Sequence, residues 1–390
     1  MTKNCQIKSK LVLFYNTPTI HTVMMAMLRK LYDWVVSKLD KLILYIFGHK
    51  GSGSGVGDTK QEHYTDYKLL RSKKDVIGVG QHRTGWPWVF SNLSIYESDN
   101  GILFDDFVEQ NFCYNPIPNI YREPWIAIFH HPKNIPLFGN YKENLSRVFE
   151  MDEFKESCKE LKVAFALSDD LAEWLRERLD CKVVSLKHPM GINENNLWDA
   201  EKWNADKQAY QIGFYLRNTR LIEQIPEVDG IQYNRLWSDM TWLKNYDNRV
   251  SKYWDHHFNT SFDFEDANYY DTRYHYRTAE ECSVKFVLPS RYDEILKSGV
   301  VVVEYFECSA SNVILECIAS NTPIIVNRMP STVQYLGEDY PLFFDHPEEI
   351  PHLFKKVEEA NAYLQDIDKD DILIDTFVKN ILKEVNQIKR

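Results

Sequence analysis

The stretch Glu304-Tyr-Phe-Glu-Cys-Ser-Ala-Ser-Asn-Val-Ile-Leu-Glu-Cys-Ile-Ala-Ser-Asn-Thr-Pro-Ile-Ile-Val-Asn327 holds the richest set of residues able to do chemistry. Ser309, Ser311 and Asn312 lie in a small polar loop that feeds an apolar helix, and serine and asparagine favour helix starts. Such a start offers free backbone N–H groups and a positive dipole end, a seat for a diphosphate. Glu316 is the only charge on that helix, among Val313, Ile314, Leu315, Cys317, Ile318 and Ala319. A buried carboxylate is costly unless it is bonded. Two hydroxyls of a polyol held side by side would satisfy it, as would a core arginine.

Arg217 and Arg220 follow the apolar run Tyr210 to Tyr215. A guanidinium binds phosphate oxygens through a planar fork, which makes both candidates for the same diphosphate, against solvated loop arginines. Trp125-Ile-Ala-Ile-Phe-His-His-Pro132 delivers His130 and His131 at the end of a second apolar run. Histidine titrates near neutrality and suits general-base work or a hydrogen bond to a hydroxyl. Neighbouring strand residues point to opposite faces, so at least one of the pair is expected to face the cleft; the alternative is one inward structural histidine and one on the surface. His188-Pro189 repeats this pattern and is expected at a domain junction.

These groups need a scaffold, and the hydrophobic pattern indicates one. Strand candidates are Asp75 to Val79, Trp125 to His130, Val163 to Leu167 and Lys182 to Lys187, with helical patterns over Asn140 to Leu161 and Asp170 to Leu179. A second series follows at Tyr210 to Tyr215, Val284 to Leu288, Val300 to Tyr305, Pro323 to Asn327 and Pro341 to Phe344. Val300 to Val303 are four consecutive β-branched residues, suited to a strand covered on both faces. Pro347 to Leu364 and Asp371 to Ile388 read as closing helices. Strands alternating with helices predict parallel sheets. The expected fold is therefore α/β, with two Rossmann-like domains facing across a cleft and an N-terminal helical extension. The divisions fall at 1–60, 61–204 (acceptor side) and 205–390 (donor side).

The donor-side segment resembles GT-B glycosyltransferases, particularly the large retaining family 4, or group 1, which includes sucrose-phosphate and mannosyl transferases. That family carries two glutamates with seven residues between them, then a small residue and a short strand opening with proline. Glu316 matches the second glutamate, which the resemblance assigns to the nucleotide ribose, and Asn321-Thr-Pro-Ile-Ile-Val326 matches the continuation. Counting back for the first glutamate lands on Cys308, with Glu307 one position before it. Either the loop is one residue longer or the sugar-contacting carboxylate is absent, which leaves the sugar and the stereochemical outcome open. Arg217, then Arg220, would face the donor diphosphate, and Ser290-Arg291-Tyr292 would border the base or phosphate.

The resemblance also assigns the loop in Asp75-Val-Ile-Gly-Val-Gly-Gln-His-Arg-Thr-Gly-Trp86 to the acceptor, through Gly80, His82, Arg83 and Trp86. As nucleotide motifs this loop fails. Arg83 stands where the dinucleotide fingerprint needs glycine, and Trp86-Pro87 where a P-loop needs lysine and a hydroxyl. The implied activity is metal-independent transfer of a sugar from a nucleotide diphosphate-sugar to a hydroxyl of a carbohydrate or lipid-linked acceptor, with no cofactor. A nucleotide-sugar epimerase and a non-catalytic nucleotide- or glycan-binding protein are the alternatives.

Bulk properties set the remaining limits. The 390 residues are 44% hydrophobic, enough for two cores. A net charge of -11 argues against a nucleic-acid partner. The seven cysteines are scattered without a Cys-x-x-Cys pair, which fits free thiols on the cytosolic side. Asp366-Ile-Asp368 and Asp368-Lys-Asp370 read as solvated caps, so no metal site is expected. Residues 22–47 form a basic amphipathic pattern with charges too frequent for a spanning helix. Peripheral contact with a membrane and packing on protein both remain open for it. Gly51-Ser-Gly-Ser-Gly-Val-Gly57 has linker composition.

Overall fold

The computed structural model describes residues 63–70, 85–135, 143–236, 283–285 and 289–390. The helix expected over 22–47, the linker at 51–57, the strand expected at Asp75 to Val79 and the loop residues Gly80, His82 and Arg83 lie outside these ranges.

Two parallel sheets organise the described chain. The first is five-stranded in the order β1-β2-β3-β4-β5, with β1 at Tyr67–Leu69, β2 at Ile102–Asp105, β3 at Trp125–Phe129, β4 at Leu161–Ala166 and β5 at Lys182–Ser185. The second is six-stranded in the order β11-β10-β9-β6-β7-β8, built from β6 at Gln208–Ile212, β7 at Gln232–Leu236, β8 at Ser283–Lys285, β9 at Val300–Val303, β10 at Ile324–Asn327 and β11 at Phe343–Phe344. Every strand pair is parallel. These are the two Rossmann-like α/β lobes expected from the alternating pattern. All four valines of β9 are fully buried, as a strand covered on both faces requires.

Helices fill the crossovers. Helix α1 (Trp86–Leu93) starts with proline in its first turn, where a missing N–H costs nothing. The single helix expected over Asn140 to Leu161 is instead two, α2 (Leu145–Glu150) and α3 (Asp152–Cys158). Met151 between them is extended (φ −70, ψ 134), and Asp152 and Glu153 sit at the positive end of α3. Helix α4 (Asp169–Arg176) is capped by Ser168, whose hydroxyl accepts the Leu171 N–H at 3.3 Å. In the second lobe, α5 (Pro289–Ser298) precedes β9, α6 (Asn312–Ser320) follows it and α7 (Pro330–Leu336) follows β10. Asn321 ends α6 in the left-handed conformation (φ 55), one of the residue types that tolerates it.

Helix α8 (Val357–Asp366) packs in the second lobe, but α9 (Ile374–Val385) does not. Its buried face, Phe377, Val378, Ile381 and Val385, joins Tyr67, Phe90, Phe104 and Ile126 in the core of the first lobe. The Tyr64 N–H reaches Ile388 O at 3.0 Å, and Lys182 pairs with Glu384. The chain divided at residue 204 by pattern thus returns its last helix to the first sheet. No described helix is long and apolar enough to cross a membrane.

Candidate functional site

The carboxyl ends of β3, β4, β6 and β9 and the start of α6 carry most of the chemically equipped side chains. In parallel α/β sheets these ends are where ligands are taken.

Arg217 is fixed from three sides. Its Nη1 donates to Ile212 O at 3.0 Å, its Nη2 to Ser311 Oγ at 3.2 Å, and its guanidinium carbon lies 5.0 Å from the centre of the Tyr305 ring. Its Nε is buried and has no hydrogen-bond partner. Ser311 occupies the N-cap position of α6, but its hydroxyl is taken by Tyr305 (2.5 Å) and Arg217 and makes no cap bond. The first amides of α6 are therefore left without the side-chain cap that serine ordinarily supplies. Ser309, one turn before, is buried, with its Oγ 3.5 Å from Ser168 Oγ of the first lobe. Asn312 is half-buried.

Glu316 is 5% exposed and accepts a 2.8 Å hydrogen bond from Tyr292 of α5. The phenol is held neutral by burial first and by the Glu316 charge second. Glu307 projects from the loop between β9 and α6. Burial pushes its carboxyl up to about 7; Lys133 lowers it by less and Asp170 adds a small rise, both residues of the first lobe. Lys133 and Asp170 themselves pair at 2.6 Å. Glu307 is half-buried and feels the charges of that pair.

The second expected arginine is engaged elsewhere. Arg220 Nε bonds Glu223 at 3.0 Å, and Glu223 also holds Arg235 of β7 at 2.5 Å, with Glu223 and Arg235 fully buried. This is a structural ion network under β6 and β7, where losing the carboxylate would leave a buried cation uncompensated.

Both histidines at the end of β3 are held by Glu109, a residue the sequence reading did not single out. Glu109 is completely buried, and its Oε1 accepts the His130 and His131 N–H groups at 2.8 Å each. His131 is buried with both ring nitrogens occupied, Nδ1 by Glu143 O at 2.8 Å and Nε2 by Tyr114 Oη at 3.2 Å. It is the inward member of the pair. His130 is half-buried, its Nε2 2.9 Å from Asp106 O and its ring against Trp86 and Phe107, both at 4.2 Å.

Trp86, expected at an acceptor, is buried with its indole N–H on Asp106 at 2.7 Å, and its rings pack against His130, His188 and Phe377. It is a wall behind His130 rather than an open platform, because an amphipathic ring whose N–H is satisfied inside gains most from burial. His188 does lie where the lobes join: its N–H donates to Tyr335 Oη at 2.9 Å, and Tyr335 donates to Leu167 O at 2.8 Å. A cavity of about 990 Å³ opens beside this junction, bounded by Asp169, Lys187, Arg328, Gln334 and Asn380 among others. Among the described residues no group of three or more His, Cys, Asp or Glu side chains is placed to hold a metal ion.

Gly213, Tyr215, Tyr305 and Glu109 are the additions the structure makes to the sequence-read set. A glycine directly after the β6 run and a glutamate closing Phe104-Asp-Asp-Phe-Val-Glu109 were the available signals.

No protein-family model matches the chain, and no curated protein sequence matches it. Solved structures that resemble it include a UDP-forming α,α-trehalose-phosphate synthase from Burkholderia xenovorans, at 10% identity over 78% of this chain and 83% of that chain, with a TM-score of 0.45. Sucrose-phosphate synthase from Thermosynechococcus elongatus is similar at 12% identity over 77% of this chain and 72% of that chain, with a TM-score of 0.42. HepE of Anabaena in complex with UDP and glucose is similar at 10% identity over 68% of this chain and 72% of that chain, with a TM-score of 0.47.

Proposed function

We propose that the chain is a glycosyltransferase that takes a sugar from a nucleotide diphosphate-sugar and passes it to a hydroxyl-bearing carbohydrate or lipid-linked acceptor, with no metal ion in the reaction. The observation that carries the reading is the Arg217 guanidinium with a buried, unpartnered Nε–H beside the uncapped start of α6. An unsatisfied buried donor costs about 1–3 kcal/mol, and a phosphate oxygen offsets that loss. Guanidinium and helix terminus together supply the positive potential that a departing diphosphate needs, already oriented before it forms.

Within this reading Glu316, steadied by Tyr292, holds the ribose. Glu307 contacts the transferred sugar from the gap between the lobes, and with its carboxyl near neutrality it can donate or accept toward a hydroxyl. His130, the half-buried member of its pair, faces the reacting sugar or the acceptor, while His131 orients the strand end. Arg220 is left to the ion network.

Calorimetric titration with UDP, GDP and ADP tests the donor half. One of them should bind, and Arg217→Ala and Glu316→Ala should each weaken that binding by about tenfold or more. A nucleotide that binds the Arg217→Ala variant unchanged removes the donor site. Turnover of the matching nucleotide-sugar should rise when acceptor is added; consumption to an isomeric nucleotide-sugar without acceptor would make the protein an epimerase instead.

A further inference from the structure

Two tyrosines, one from each lobe, flank the imidazole of His131. Tyr114 ends a π-helical turn, Gln110–Tyr114, after β2, and Tyr215 lies in the turn after β6. Their ring centres stand 5.9 and 6.1 Å from that of His131, and each side chain is still open to solvent, at 43% and 39% exposure. Phe107 closes the same group from the side, 6.1 Å from His131. A half-open tyrosine offers a ligand an apolar ring face together with a polar tip.

Carboxylates accompany the rings. Tyr215 donates its hydroxyl to Glu143 at 3.1 Å across the gap between the lobes. Behind them lies Glu109, wholly buried, whose Oε2 has no hydrogen-bond partner although the group is taken out of water. Burial pushes both tyrosine hydroxyls up most, Glu143 adds to the rise, and Glu109 adds less. The other oxygen of Glu109, Oε1, accepts the His131 N–H at 2.8 Å, and the Tyr114 hydroxyl lies 3.2 Å from Nε2 of the same histidine, so the orphaned carboxylate lies behind the imidazole that the two rings flank.

We infer that Tyr114 and Tyr215, with Glu143 and Glu109, form the subsite for a neutral, unphosphorylated pyranose. A pyranose presents C–H groups on its faces and hydroxyls on its rim. The rings cover the faces, and a carboxylate accepts rim hydroxyls two at a time. A sugar phosphate brings negative charge toward two carboxylates and is disfavoured. Calling this ligand the acceptor rests on the transferase reading above; the binding of the pyranose does not.

Saturation-transfer NMR on the full chain tests it without donor. The probes are the methyl pyranosides of glucose, galactose, mannose and N-acetylglucosamine, with glucose 6-phosphate as the charged probe. At least one neutral glycoside should receive saturation at its ring C–H protons. The signal should fall about tenfold in Tyr114→Ala and in Tyr215→Ala, and persist in Tyr215→Phe, which keeps the ring. Glucose 6-phosphate should bind more weakly than methyl glucoside. Should the alanine variants fail to fold, wild-type protein protonated only at tyrosine must still transfer saturation to the glycoside. Absence of any glycoside signal, a signal indifferent to either alanine substitution, one that vanishes when only tyrosine is protonated, or equal binding of the phosphate overturns the subsite. Titration of the same variants with UDP, GDP and ADP separates the two readings: glycoside binding with none of the three nucleotides bound sinks the donor site and leaves this one standing.

Discussion

Arg217 lies across the α-carbon of Gly213. A Cβ built on that glycine would stand 1.5 Å from Arg217 Nη1, and the backbone there has φ +76, a conformation that costs an L side chain. The glycine therefore allows both the tight exit from β6 and the parking of the guanidinium over it.

Gly213→Ala should lower nucleotide affinity about as much as Arg217→Ala does, since the clash drives the same group away. The double variant should be little worse than either alone, because both remove one interaction. Titration of the three variants with the preferred nucleotide decides this. Additive losses would mean that Gly213 acts by some route other than Arg217.

Glu307 should confer a pH dependence of definite sign. Its carboxyl is raised from 4.5 to about 7 by burial, so the folded state holds the proton more tightly than the unfolded chain. Stability is then fullest below about 4.5 and falls as pH rises toward 7. Glu307→Gln removes that fall. The melting temperature of the variant, measured relative to wild type, should increase between pH 5 and pH 8. The kcat/KM profile of the wild type should bend near 7 and that of the variant should not.

Tyr335 ties the two lobes by donating to Leu167 O and accepting from the His188 N–H. Tyr335→Phe keeps the ring and strands both backbone groups in a buried place. A loss of about 1–3 kcal/mol in urea denaturation is expected. An unchanged midpoint would mean that water reaches the junction and takes over both bonds.

Phe377 is the anchor of the returning helix, buried in the first lobe with Tyr67 and Phe104. Phe377→Ala should cost about 3–5 kcal/mol through lost burial and the cavity left behind. Loss of native-state amide protection should then appear in β1 and β2 as well as in α9. Protection lost in α9 alone would show that the helix is an appendage to that core.

Local pattern determined a good deal of this protein. Four consecutive valines fit only a strand sheltered on both sides, and an apolar helix with a single glutamate behind a serine-rich loop reads directly from residue types. Arg217, Ser311 and Glu316 could be named as candidates because each belongs to one short segment whose chemistry is explicit. The same logic named Arg220 and Trp86, but nothing local tells that Glu223 and Arg235 will lie beside the first, or that Asp106 will satisfy the indole of the second.

Tertiary structure alone decided which equipped residues stay open to a ligand. Glu109 is one glutamate among many until β2 and β3 pair and bring its carboxylate under two consecutive amides. Glu143 and Tyr215 come from different lobes, and Phe377 finds its core in the sheet that began the described chain. The physical reason is one of range. Periodicity and capping are set by neighbours within a turn or two, whereas burial and the partner of a polar atom depend on segments far apart in sequence.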